Sequence, residues 1–335
     1  GSLNVQIGLW NRVDGLDTGF LPRALHDDRS LVKSWLMRDT VHVVPTRHFP
    51  HFRRALEPSL LREWNRWTVK TGAKESPVAW EPLCQKILEI LEKRPLTLGE
   101  LREALGWKDR DEQITLSRLV REMSLRGLIC HAAASGPWHH GTEYTFARVD
   151  GWLPDVDLGS VSYGESLIWL IRGYLRAYGP ATIGDFSYWS GIRAQEAKAA
   201  FESISNSLVE LRIEGSGKFL ILDEDAPALL DAKEMAPPVR LLPEFDSLIM
   251  GHREKTRFIE PSIRKRIFLP RGDIAATMMI DGRVEGMWAM RKARDVWRVS
   301  LSPFVVLSEE KMDEVEVEVE GLRRFTGFEI ETDWG

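Results

Sequence analysis

Apolar positions recur at helical spacing through LCQKILEILEK, where Leu83, Ile87, Ile90 and Leu91 fall on one face, so a helix is predicted there. A short link led by Pro95 follows, then Thr97 with Glu100 three residues on. In that pattern the hydroxyl and the acid each satisfy a backbone N–H left free at a helix start. The helix LGELREAL then stops at Gly106, a residue suited to the left-handed turn that closes helices. A third helix is predicted to bury Ile114, Leu116, Leu119, Val120 and Met123, and LICHA and EYTFARV read as strands flanking SGPWHHG. Three helices followed by a hairpin predict a winged helix.

The pattern repeats 85 residues further on. Pro95 falls on Pro180, Thr97 on Thr182, Gly99 on Gly184, Glu100 on Asp185, Leu101 on Phe186 and Gly106 on Gly191. Without a gap, Leu116 meets Phe201, Leu119 meets Ile204, Met123 meets Leu208 and Leu128 meets Ile213. Two tandem copies of one supersecondary unit account for this better than chance. The second copy runs from SLIWLIRGYLRAYG through FESISNSLVELRIEG to KFLILDED, with EGSG as its wing turn.

The flanks have other textures. RALHDDRSLVKSWLM is predicted helical and HFPHFRRALEPSLLREWNRW helical again, with TVHVVP as a strand between them. Read as extended, SWLMRDTVHVVP (34–45) turns Arg38, Thr40, His42 and Val44 to one side and Met37, Asp39, Val41 and Val43 to the other. After the linker signal APPV, DIAATMMIDGRVEGMWAMRKARDVWRVSLSPF reads as three strands, the first turn being of the Asp-Gly hairpin kind. EEKMDEVEVEVEGLRRFTGF carries Met312, Val315, Val319, Leu322 and Phe325 as a helical stripe. The expected organisation is a partial winged-helix-like unit over 1–75, winged-helix units over 76–152 and 153–236, and a β-rich domain over 240–335.

Composition narrows the class. Of 335 residues 43% are apolar and 28% charged, a balance with ample material for two or three cores. A net charge of −5 advertises no global affinity for nucleic acid but leaves room for a local basic surface. Cys84 and Cys130 make neither a disulfide framework nor a zinc site by spacing, and their rarity suits a reducing cytoplasm. No apolar run reaches the length of a transmembrane helix and no signal peptide is predicted.

Together, IGLWNRV, SLVKSWLMRDTVHVVPTRHF, YLRAYGPATIGDFSYWSGI, LLPEFDSLIMGHREKTRFI and MMIDGRVEGMW resemble the AlkZ-like (YcaQ-type) winged-helix DNA glycosylases. The resemblance implies an α+β fold: tandem winged helices in a C-shaped arrangement with a C-terminal β-rich, barrel-like domain. It further implies a cytoplasmic, nucleoid-associated monomer that acts on double-stranded DNA without metal or organic cofactor. Members excise alkylated purines, and some unhook interstrand crosslinks. An N7-alkylated purine already carries positive charge, so its glycosidic bond is weakened. An amide that orients water, or a carboxylate that stabilises the cationic sugar, then suffices. The family's Gln-apolar-Gln or Gln-apolar-Asp motif would lie about ten residues before the stretch matching IGLWNRV. Gln6 does not match it, so no catalytic residue is carried over.

Candidate binding residues follow. Arg38, Thr40 and His42 match an Arg-x-Thr-x-His pattern of the family and are expected to line the cleft. Arg118 and Arg121 lie on the predicted third helix of the first winged unit, a surface suited to phosphate. His139 and His140 sit at the predicted wing tip. His252, Arg253, Lys255 and Arg257 belong to the densest basic run and are expected to hold DNA backbone. Asp246 is expected to cap a turn or pair with an arginine, and Trp64 and Trp67 share a helix without an assigned role. A non-catalytic winged-helix regulator, or a scaffold that binds protein, would share much of this pattern.

Overall fold

The computed structural model describes residues 2–70, 77–134, 144–213, 217–231, 238–294 and 296–335. Helices are numbered α1 (Ser2–Trp10), α2 (Phe49–Lys70), α3 (Pro77–Leu91), α4 (Leu98–Leu105), α5 (Arg110–Leu125), α6 (Tyr163–Tyr178), α7 (Ile183–Ser190), α8 (Ala194–Ser203) and α9 (Glu309–Thr326), shorter turns being left unnumbered. The chain divides into two compact units, one made of Gly1–Leu21 with Pro227–Gly335, the other of Pro22–Pro137 with Thr142–Ala226.

In the second of these, α3, α4 and α5 are followed by β4 (Ile129–Ala134) and β5 (Tyr144–Arg148), and β3 (Leu96–Thr97) pairs with β5. This is winged-helix topology. The local chemistry is as the sequence predicts. The Thr97 hydroxyl accepts from the Glu100 N–H at 3.1 Å, the Thr97 N–H reaches the Glu100 carboxylate at 2.8 Å, and Gly106 closes α4 at φ 73°. Thr182, Asp185 and Gly191 (φ 80°) do the same at α7. α6, α7 and α8 with β6 (Leu208–Ile213) and β7 (Gly217–Leu222) form the second copy, where an Ala181–Leu220 bridge stands for the β3–β5 pairing. Leu116 and Phe201 are both buried at the repeat positions, whereas Ile114, predicted inside, is 39% exposed.

The gapless register does not run to the end. α8 stops at Ser203, the counterpart of Arg118, and β6 begins at Leu208, the counterpart of Met123, which is still helical in the first copy. At the position of Arg121 the second copy has a short 3-10 turn, Ser205–Ser207, in place of continued α-helix.

In the region 22–70 the predicted strand TVHVVP and the helix after it are present as β2 (Val41–Pro45) and α2. The segment RALHDDRSLVKSWLM, predicted helical, instead contains β1 (Leu31–Trp35), which forms a hairpin with β2 and pairs with β4 at Lys33–His131. The five strands run in the order β2-β1-β4-β5-β3, so this segment extends the first winged unit rather than standing as a unit of its own. The alternation of buried Val32 and Ser34 with half-buried neighbours carries the strand. Arg29 at φ 51° helps set its entry, a conformation a helix cannot continue through.

The other unit is an open five-stranded sheet, β12-β11-β10-β9-β8, with β8 (Arg240–Leu242), β9 (Thr277–Ile280), β10 (Arg283–Ala293), β11 (Val296–Pro303) and β12 (Ile330–Trp334). Asp281 and Gly282, both at positive φ, make the predicted hairpin turn. The sheet does not close as a barrel: β8 and β12 are its edges, and α9 supplies the covering layer through Val315, Val319 and Leu322. Ile7 of α1, 1% exposed, packs in the same core as Val239, Leu241 and Trp288. Gly1–Leu21 thus joins this unit, not the segment 22–75 with which it was expected. Among the described residues no helix is long and apolar enough to cross a membrane.

Candidate functional site

The turn between β1 and β2 is built from residues that take unusual backbone conformations. Arg38 (φ 53°) and Asp39 (φ 58°) are both left-handed, so 34–45 is not one continuous strand and its side chains do not simply alternate. The turn is held by the Asp39 N–H to the Leu36 carbonyl at 3.0 Å, and by the Leu36 N–H to the Thr40 carbonyl at 2.9 Å. Gly191, the C-cap of α7, comes against it. A Cβ there would lie 3.4 Å from Arg38 Cγ and 3.5 Å from the Arg38 nitrogen. The Arg38 guanidinium stands 4.8 Å from the centre of the Tyr188 ring.

Thr40 and His42 form a bonded pair. The Thr40 hydroxyl donates to the Met37 carbonyl at 2.9 Å, and Thr40 Oγ1 lies 2.8 Å from His42 Nε2, which is 3.4 Å from the same carbonyl. With the hydroxyl proton committed to Met37, Nε2 must carry the imidazole proton, leaving Nδ1 as the acceptor nitrogen. Burial pushes the His42 pKa down to about 4, the Met37 bond opposing this and the Arg38 charge adding to it. At neutral pH the ring is uncharged. Such a pair can orient a hydroxyl or a water but carries no cation.

Asp39 turns the other way and accepts from Arg121 of α5, at 2.5 Å from Nη2 and 3.1 Å from Nε. Burial raises the Asp39 carboxyl even so, with the Arg121 bond and charge opposing the rise. Around this ion pair opens a cleft of about 490 Å³ lined by Arg38, Asp39, Glu63, Trp67, Arg121 and Gly191 among others. A second hollow of about 520 Å³ shares Trp67 and Arg121 with it and runs along α5 past Arg118 and Arg110.

The structure therefore brings Arg38 and Arg121 to one cleft and carries Arg118 along its continuation. Thr40 and His42 are bonded to each other at the start of β2, next to the turn residues that line it. His139 and His140 lie outside the described residues. The basic run of the other unit departs from expectation. His252 and Lys255 are each only 2% exposed, with Arg257 donating to His252 Nδ1 at 2.8 Å and Lys255 Nζ donating to the His252 carbonyl. Their charge and hydrogen-bonding capacity are turned into the fold, while Arg253 is exposed. Asp246 does both things predicted of it: it caps the short helix Ser247–Gly251 through the Leu248 N–H at 2.9 Å, and it pairs with Arg12 at 2.8 Å.

Sequence reasoning gave no role to Trp64 or Trp67, and took Gly191 only as the match of a helix-ending glycine, not as a neighbour of Arg38. A signal for the first two existed in the spacing of Arg110, Ile114, Arg118 and Arg121, which puts four positions of α5 on one face. What that face meets is decided by tertiary packing. Among the described residues no group of three or more His, Cys, Asp or Glu is placed to hold a metal ion.

Three comparisons bear on this geometry. The model of the family described as "DNA glycosylase AlkZ-like" matches residues 3–325. The Interstrand DNA cross-link repair glycosylase of Streptomyces sahachiroi is 28% identical over 282 residues, covering 78% of this chain and 71% of that protein. The solved structure of Streptomyces sahachiroi DNA glycosylase AlkZ superposes with a TM-score of 0.80 at 24% identity, over all of this chain and 89% of that one, so the two share a fold.

Proposed function

Because the chain belongs to the family of AlkZ-like DNA glycosylases, we propose that it binds damaged duplex DNA and hydrolyses the N-glycosidic bond of an N7-alkylated purine or of a crosslinked base. The observation that carries this is the arginine-lined cleft beside a neutral Thr40–His42 pair. Arg38 places positive charge where a phosphate would approach, with Arg121 beside it held by Asp39, and phosphate contacts position a duplex without reading its sequence. Thr40 and His42 offer a hydroxyl and an acceptor nitrogen to the sugar or to a water near it.

The chemistry demands little acid catalysis. Alkylation at N7 leaves the base cationic, so it departs as a neutral purine when the bond to C1′ breaks. A held water then adds to the sugar cation through its oxygen and passes a proton to bulk water, leaving the abasic hemiacetal. His42, uncharged at neutral pH, can take part in ordering that water without placing a cation beside the developing positive sugar. Arg38 and Arg121 are counted as backbone holders, since a guanidinium close to C1′ would oppose the reaction. No group of this chain is assigned as the catalytic residue.

The test is base release. Duplex containing N7-methylguanine is incubated with the protein, and abasic sites are scored as heat- and alkali-labile breaks. Breaks are expected, and their absence on both this duplex and a crosslinked one overturns the reading. His42→Ala, confirmed folded by circular dichroism, is expected to slow single-turnover release by roughly tenfold to a hundredfold. An unchanged rate removes His42 from the site.

A further inference from the structure

In a winged helix the exposed face of the third helix is ordinarily the one that enters a duplex groove. In the first winged unit that face does not stand free. Arg110, Ile114, Arg118 and Arg121 look across the hollow of about 520 Å³ at Trp64 and Trp67 of α2. A convex reader has become one wall of a concave slot. Its volume falls within the range that holds small organic ligands, roughly 300–1,000 Å³, and not that of a double helix.

The two walls differ in chemistry. Trp67, 41% exposed, stacks on Trp64 with ring centres 5.0 Å apart and planes 22° from parallel. Trp64 is 2% exposed and donates its indole N–H to Glu122 at 3.1 Å, so Trp67 rests on a fixed base. On the opposite wall the Arg118 guanidinium is 5.5 Å from the Trp67 ring centre, and Arg121 is 5.4 Å from that of Trp64. The described lining of this hollow contains Arg110, Arg118 and Arg121 and no carboxylate. Arg121 is engaged by Asp39 from the neighbouring cleft, which leaves Arg110 and Arg118 as the cationic rim of the outer part. An aromatic face backed by a rigid partner and edged by arginines is the apparatus by which proteins hold unpaired nucleotides, base on ring and phosphate on guanidinium.

We propose that this slot is a nucleotide subsite, in which an unpaired base stacks on Trp67 while Arg118 and Arg110 hold its flanking phosphates. The proposal rests on the reading above only in taking DNA as the partner. It adds that the protein prefers DNA in which a nucleotide has left the helical stack, and it names the residues that create the preference.

The experiment compares a fluorescein-labelled duplex carrying one bulged thymidine with the same duplex fully paired, both undamaged, by fluorescence anisotropy at low salt. The protein is expected to bind the bulged duplex more tightly. Trp67→Ala is expected to lower the preference for the bulged over the paired duplex roughly tenfold, with Trp67→Phe retaining most of it. Arg118→Ala is expected to weaken both and flatten the salt dependence. The proposal is overturned if wild-type protein shows no preference. It is equally overturned if Trp67→Ala keeps that preference, or loses affinity equally for both duplexes. No alkylated base is involved, so failure here alongside intact base release removes the subsite alone. Retained bulge preference with no base release removes the glycosylase reading alone.

Discussion

His42 and His131 show how much the surroundings of one side chain decide. His131, 7% exposed, is packed among Trp35, Tyr144 and Phe146, with ring centres 4.5, 5.6 and 5.0 Å away. Burial pushes its pKa down to about 3, and the nearby Lys33 charge adds to this. Both histidines are neutral in the folded protein and take a proton far more readily once unfolded. Their contribution to stability is therefore complete above the ordinary histidine pKa of about 6.5. It is lost as pH falls from there towards about 4 for His42 and about 3 for His131. His131→Phe keeps an aromatic ring in an aromatic site and removes the proton site. Urea melts at pH 7 and pH 4.5 are expected to show the variant losing less stability on acidification than wild type, by about 2 kcal/mol. Equal losses would mean that His131 does not titrate between the two states.

At the level of elements, the repeat makes a controlled comparison. Gly106 and Gly191 hold the same C-cap at φ 73° and 80°, yet a Cβ at Gly106 meets nothing within 4 Å, while at Gly191 it meets the turn residue Arg38. Gly106→Ala is expected to cost about 1 kcal/mol from backbone strain alone. Gly191→Ala is expected to cost more and to disturb Arg38, a difference that paired urea melts would reveal. Identical costs would show that the Arg38 turn yields freely. The winged units were legible because capping boxes, C-cap glycines and helical stripes are local signals, as at Thr97 with Glu100 and at Gly191. The β1–β2 hairpin was not, because its turn depends on Arg38 and Asp39 taking left-handed conformations that neither residue advertises, held by Arg121 more than eighty residues away. The alternation read across Arg38, Thr40 and His42 named residues at or beside the cleft for a geometric reason that does not hold. The slot at Trp67 was illegible for a similar reason: α2 and α5 each show a face, and nothing local says the faces meet.

On the scale of the whole molecule, the division of the chain is not a division into successive segments. Gly1–Leu21 belongs with Pro227–Gly335, and Ile7 sits in the core beneath the sheet and α9. Ile7→Ala is expected to cost about 2–4 kcal/mol and to act on that unit. Hydrogen exchange should accelerate in β10 and β11 while α2 and α5 keep their protection. Uniform acceleration in both units would show that they unfold as one. The same arrangement bears on the order in which the protein is made. Synthesis runs from the N-terminus, so the segment carrying Ile7 leaves the ribosome before its partners in the sheet and α9. Almost everything between, Pro22 to Ala226, can reach its own packed state in that interval. The unit that contains α1 is the later of the two to finish, and Ile7 waits for its packing partners until α9 has been translated.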